Sequence, residues 1–111
     1  MIKHNINDFV RGWFVGGFEP RIYETTDVEV AVQYFQNGDK EASHCHKIAT
    51  EITMIVSGKA KMRDTILNAG EIVMIEPGEF TSFEALEDTV TTVVKLPGAL
   101  NDKYIEEDGK C

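Results

Sequence analysis

Two histidines and a glutamate lie close together in the middle of this chain, and their spacing carries the strongest chemical signal in it. His44 and His46 are separated by one residue, and Glu51 follows after the short stretch Lys47-Ile48-Ala49-Thr50. On a β-strand, residues two apart project to the same side, so both imidazoles face one way while Cys45 and Lys47 face the other. The connection through Ile48-Ala49-Thr50 lets the chain reverse or bulge and bring the Glu51 carboxylate beside the rings. Two neutral imidazoles and one carboxylate on one side of an ion leave coordination positions open for water or substrate, as in reactive metal sites. Mixed nitrogen and oxygen donors suit one divalent transition metal, with iron, manganese, zinc, nickel and copper all compatible, and they disfavour calcium. A bare His-x-His pair is commonplace; Glu51 in register, with Gly38 and Gly58 bounding the segment, makes it a candidate metal site.

The elements that must position these residues read as strands. From Asp27 onward, β-branched residues alternate with polar ones between turn signals such as Asn37-Gly38-Asp39, Ser57-Gly58, Ala69-Gly70 and Pro77-Gly78. Val28, Val30, Val32 and Tyr34 share one face of the first strand, and Glu29, Ala31 and Gln33 share the other. Further strands are predicted at 42–47, 51–56, 60–63, 66–67, 72–75, 80–85 and 90–96. No helical stretch of crossover length separates them, so the predicted fold is all-β, a jelly-roll β-barrel. Tyr34, Met54, Met62 and Met74 are candidates for the core, with Tyr34 and Met54 also able to serve as pocket wall. Thr81, Phe83 and Ala85 are expected to face the lumen, Thr81 and Phe83 completing the candidate pocket.

The pattern Gly38-x5-His44-x-His46-x4-Glu51-x6-Gly58 matches every fixed position of the first motif of the cupin superfamily, G-x5-H-x-H-x3,4-E-x6-G. The chain therefore resembles a small single-domain cupin, and the resemblance implies a jelly-roll barrel with His44, His46 and Glu51 as metal ligands. The second cupin motif, G-x5-P-x-G-x2-H-x3-N, is matched at Gly70 and Gly78 only. Glu76 stands at the proline position, Thr81 at the histidine position and Ala85 at the asparagine position. The resemblance thus implies a site one imidazole short, with Thr81 as a weak or water-mediated neighbour. It also implies a homodimer, which the aromatic segment around Trp13, Phe14 and Phe18 supports by its apolar bulk.

The chain has 111 residues, 42% hydrophobic and 27% charged, with a formal net charge of -8. That composition suits a globular domain and opposes nucleic-acid binding, which depends on lysine and arginine displacing counterions. One domain is expected over 1–111: residues 1–26 packing on the barrel or a partner, 27–98 forming the barrel, and 99–111 a polar tail that frays or forms a loose terminal turn. No apolar run has membrane length and no secretory or transit signal is evident, so the expectation is a cytoplasmic protein with no membrane partner. Cys45 and Cys111 are expected to remain unpaired. Two functions are compatible with a metal and a small-molecule ligand in such a barrel. One is an enzyme using the ion as Lewis acid or, with iron, to bind oxygen; the other is a non-catalytic ligand-binding, sensor or accessory module.

Overall fold

The computed structural model describes residues 1–108 and 111; positions 109–110 of the expected polar tail lie outside the described residues. Among the described residues there are ten strands: β1 (Trp13–Val15), β2 (Glu29–Phe35), β3 (Lys40–His46), β4 (Thr50–Ser57), β5 (Lys59–Met62), β6 (Thr65–Asn68), β7 (Ile72–Ile75), β8 (Thr81–Ala85), β9 (Thr89–Leu96) and β10 (Lys103–Ile105). They form two five-stranded antiparallel sheets, the first in the order β1-β2-β9-β4-β7 and the second in the order β10-β3-β8-β5-β6. Successive strands alternate largely between the sheets, the arrangement of a double-stranded β-helix. Among the described residues, no strand pairing joins the two sheets into a closed barrel.

The glycine that ends the β4 segment is required by space as well as by backbone. Gly58 has φ +91°, and a Cβ there would stand 2.3 Å from the Asp88 carbonyl oxygen. Only glycine lets the β4–β5 turn pass so close to the β8–β9 turn.

Between the sheets, one end of the interior is apolar. Ile55, Ala60, Met62, Leu67, Ile75, Phe83 and Ala85 form its core, with Phe35 and Val73 packed against them. The Phe35 and Phe83 rings lie 4.4 Å apart between centroids.

The orientation of β2 reverses the expectation drawn from its apolar stripe. Glu29 and Ala31 are buried and Gln33 and Phe35 partly so, whereas Tyr34 is 66% exposed. Val30, Val32 and Tyr34 therefore point outward. The same holds across the first sheet: Met54 is half-buried on the outer face of β4, opposite in phase to the buried Thr53 and Ile55, and Met74 is exposed. Of the four proposed core residues, Met62 alone is buried in the core. The alternation was legible, but the inward face carries the polar set because it lines a cavity.

Both chain ends are tied to the sheets. β1 pairs with β2, and the entry aromatics pack within the chain: Trp13 lies edge-on to Phe18, and Phe9 lies beside Phe14. The tail expected to fray adds β10 alongside β3, pairing Lys103 with His46 and Ile105 with His44. Cys45 points away from the histidines and is joined to Cys111 by a disulfide, with the Cα atoms 6.3 Å apart. The expectation of unpaired cysteines is thereby corrected: sheet pairing brings the two together although 66 positions separate them.

Candidate metal centre

β3 and β4 supply the three side chains, and a bulge sets their phase. Glu41 pairs with Phe83 and His44 with Thr81, so β3 uses three steps where β8 uses two. The extra residue lets Glu41, His44 and His46 all face the interior. On β4, Glu51 is the first buried residue of an alternating run that continues with Thr53 and Ile55.

The loop between the two strands is held by a residue far away in sequence. The Asp102 carboxylate, buried just before β10, accepts hydrogen bonds from the backbone N–H groups of Lys47, Ile48 and Ala49 at 3.0 to 3.2 Å. The backbone carbonyl of the same residue accepts from His46 Nδ1 at 3.1 Å, and the Ala42 carbonyl accepts from His44 Nδ1 at 2.9 Å. A carbonyl can only accept, so each contact places a proton on Nδ1 and leaves the Nε2 lone pair free in the neutral ring. This is the orientation that metal-ligating histidines adopt when a backbone carbonyl steadies the ring.

His46 Nε2 then stands 3.2 Å from Glu51 Oε1. Two electron-pair donors that close need a shared cation, either a proton or a metal ion. The other Glu51 oxygen accepts from the Thr53 hydroxyl at 2.8 Å. All three residues are buried, their ligand atoms lie within 4.8 Å of one another, and the two imidazoles meet edge-on at 77°. The donor set fits one divalent transition metal ion, which His44, His46 and Glu51 would hold and which would supply Lewis-acid chemistry there.

The titration behaviour of the ligands agrees with that chemistry. Burial lowers the pKa of His44 against the opposing pull of its bond to the Ala42 carbonyl, and Lys103 and His46 push it the same way as burial. Burial alone would raise Glu51, but a proton shared with His46 in the metal-free protein, the hydrogen bond from the Thr53 hydroxyl and the nearby imidazoles hold it below the ordinary carboxylate value. His44 is thus favoured as the neutral ring and Glu51 as the carboxylate, the forms that bind metal.

A cavity of about 180 Å³ opens beside the triad. Thr53, Thr81 and Phe83 line it together with Thr91 and Val93 of β9, while Arg11, Lys95 and Lys103 contribute cationic groups. Thr81 sits across from His44, so the position of the fourth imidazole in the family motif is filled by a hydroxyl, which donates to the Ser82 carbonyl at 3.3 Å. Of the four candidate pocket residues, Thr81 and Phe83 line this cavity, whereas Tyr34 and Met54, on the outward face, line no part of it. Thr91 is fully buried and its hydroxyl has no hydrogen-bond partner among the described residues. Sequence reasoning missed Asp102, Thr53, Thr91 and Lys95. Thr53 could have been found by stepping two residues from Glu51 along the strand; for Asp102 no local signal exists.

No family model matches the chain, and no curated protein matches it either. Solved structures do. A conserved protein with a double-stranded β-helix domain from Klebsiella pneumoniae superposes with a TM-score of 0.70 at 23% identity, over 93% of this chain and 89% of that one. An RmlC-like cupin from Shewanella frigidimarina gives 0.64 at 16% identity, over 70% and 72% of the two chains. Oxalate decarboxylase from Bacillus subtilis gives 0.65 at 20% identity, over 76% of this chain and 25% of the larger enzyme. Among the described residues, no helix is long and apolar enough to cross a membrane. Two facing antiparallel sheets and these likenesses lead to one conclusion: the chain has the double-stranded β-helix fold of the cupins, with the buried His44/His46/Glu51 set inside it.

Proposed function

We propose that this protein holds one divalent transition metal ion through His44, His46 and Glu51 and takes a small, oxygen-bearing anionic molecule into the adjoining cavity. The observation that carries the proposal is the free Nε2 lone pair of His46 facing a Glu51 carboxylate oxygen at 3.2 Å, with a backbone carbonyl holding the ring in that state. Support for an anionic ligand comes from Arg11, Lys95 and Lys103 around the cavity. Their carboxylate neighbours are Glu41, 3.9 Å from Arg11 and 3.7 Å from Lys103, and Glu29, 3.8 Å from Lys95. At such spacing the pairs are loose, and a ligand carboxylate can compete for the cations. The orphan Thr91 hydroxyl offers a further contact. Residues 1–111 act as one domain in this reading, because β1 and β10 tie both terminal segments to the sheets.

Elemental analysis of untagged protein tests the metal assignment. The parent is expected to carry close to one equivalent of a transition metal after loading, and His44→Ala and His46→Ala to carry far less at equal protein concentration. Undiminished metal in both variants would overturn the assignment.

A non-catalytic binding role is favoured by one specific feature: a threonine occupies the place of the fourth metal-binding imidazole. The two roles separate in a single comparison using metal-loaded protein and a panel of small carboxylates, diketones and sugar acids. Turnover of any of them makes the protein an enzyme. A ligand-induced rise in melting temperature without turnover makes it a binding module.

A further inference from the structure

The three cations around the cavity are not equivalent. The Arg11 and Lys103 side chains are 63% and 46% exposed, and both lean on one carboxylate oxygen, Glu41 Oε2, at 3.9 and 3.7 Å. Charges so placed are screened by solvent and speed the approach of an anion more than they hold it. Lys95 is different: its side chain is 15% exposed, and its Nζ lies 4.9 Å from the centroid of the Trp13 ring. Its carboxylate neighbour, Glu29 Oε1, is 3.8 Å away, too far for a hydrogen bond. An aromatic face attracts the charge of an ammonium group but offers its N–H groups no oxygen. Among the described residues, Lys95 is thus held in place by partners that leave its donors available to an incoming oxygen.

Strand register sets this lysine beside the metal ligands. Lys95 on β9 is paired with Glu29 of β2 on one side and with Glu51 of β4 on the other, and directly paired positions have Cβ atoms about 5 Å apart. Glu51 turns its oxygens to His46 and Thr53 instead, so the ammonium and the triad line one cavity from neighbouring positions. We propose that Lys95 is the specificity-determining residue of this site and that it selects a small 2-hydroxy or 2-oxo monocarboxylic acid. One enclosed cation calls for one carboxylate. Because Lys95 and Glu51 are strand neighbours, a second oxygen turned toward the metal ligands must lie only a few bonds from that carboxylate, which a hydroxyl or keto group on the adjacent carbon satisfies. Size sets the upper bound: a cavity of about 150 Å³ takes a benzene-sized guest, and the space here is about 180 Å³. The choice of the second oxygen rests on the metal-site reading given above, whereas the role of Lys95 toward the carboxylate does not.

Calorimetric titration of the metal-loaded protein with lactate, with lactamide as its neutral isostere, and with propionate, which lacks the hydroxyl, tests the proposal. The parent is expected to bind lactate at least about 30-fold more tightly than lactamide, the scale set by a buried charged partner. In Lys95→Met that preference should shrink to about threefold, what exposed cations supply, with metal content unchanged. Arg11→Met and Lys103→Met should keep most of it. Since Lys95→Met leaves the Glu29 carboxylate buried without its counter-charge, Glu29→Gln/Lys95→Met is measured alongside and should show the same collapse. Trp13 is the sole tryptophan, so its emission reports on the ammonium above its ring. Lactate should change that emission saturably in the parent and leave it unmoved in both Lys95 variants. A parent that fails to prefer lactate over lactamide, a preference retained in both variants, or emission indifferent to bound lactate overturns the proposal. So does absence of binding by both lactate and pyruvate at about 10 mM. Propionate binding as tightly as lactate, with the acid-over-amide preference intact, would instead strike out the second oxygen and with it the metal reading, so the two failures are told apart.

Discussion

Along β4 the inward residues run Glu51, Thr53, Ile55, and along β8 they run Thr81, Phe83, Ala85. Both sequences pass from polar to apolar in the same direction, so one interior has two ends of opposite chemistry. At one end Ile55, Leu67, Phe83 and their neighbours pack without a polar atom to satisfy. At the other, a metal-ligand set, three threonine hydroxyls, two lysines and an arginine surround a cavity. A small sheet sandwich has too little volume for a full apolar core and a site in separate layers. Dividing each strand lengthwise resolves this: the apolar end supplies stability and the polar end accommodates groups that packing alone would reject. Substitutions at the two ends should therefore affect different observables.

The sharpest test of that division is Phe83→Ala. Phe83 stacks near Phe35 in the apolar end, and removing a buried aromatic side chain costs about 3–5 kcal/mol through lost burial and the cavity left behind. A denaturant titration should show that loss, while the fraction still folded binds metal with nearly parental affinity. Equal losses of stability and metal affinity would mean that the ends are not separable.

Asp102 belongs to the polar end, yet its effect should reach both observables. Asp102→Ala strips the acceptor from three backbone N–H groups and is expected to cost about 2–3 kcal/mol, since unsatisfied buried donors are expensive. It should also lower metal affinity roughly 10- to 100-fold, the usual scale for residues that orient metal ligands. Asp102→Asn retains one side-chain acceptor oxygen and should recover part of both, as measured by calorimetry at a fixed metal concentration.

Acid should act on the polar end alone. In metal-free protein, His44 is lowered from 6.5 chiefly by burial, so the unfolded chain takes up its proton first. Stability from the neutral ring is therefore present above about pH 6.5 and falls as pH drops through that region. Glu51 is also lowered, from 4.5, and its charged form adds stability above that value that is lost on further acidification. Unfolding free energy should fall in two successive windows. Phe83→Ala should displace the whole profile downward without altering its shape, and His44→Phe should flatten the upper window.

The same comparison explains what the sequence disclosed. His44, His46 and Glu51 were legible because strand period and motif spacing act over a few residues, and the position of Thr81 followed from the second motif. The inward face of β2 was misread because hydrophobic alternation identifies two faces but assigns the inner one by apolarity. Here the outer face, Val30-Val32-Tyr34, is the more apolar one, and Glu29 and Gln33 turn toward the polar end of the interior. Asp102 and the Cys45–Cys111 pair were invisible because they depend on β10 pairing with β3, a contact made across more than fifty positions by a segment of tail-like composition.

The smallest expected effect is the most discriminating about ligand binding. Thr91 is fully enclosed and its hydroxyl lacks a partner among the described residues, so the folded protein bears a desolvation cost with no hydrogen bond to offset it. Thr91→Val replaces the hydroxyl with a methyl of similar size and should leave stability unchanged or raise it by up to about 1 kcal/mol. Were the hydroxyl merely a packing residue of the apolar end, nothing else would change. Because it lines the cavity beside the triad, the variant should instead bind a small carboxylate about 5- to 10-fold more weakly, with metal affinity intact. A stabilised variant with undiminished ligand affinity would move Thr91 to the apolar side of the boundary and shorten the polar end by one residue on β9.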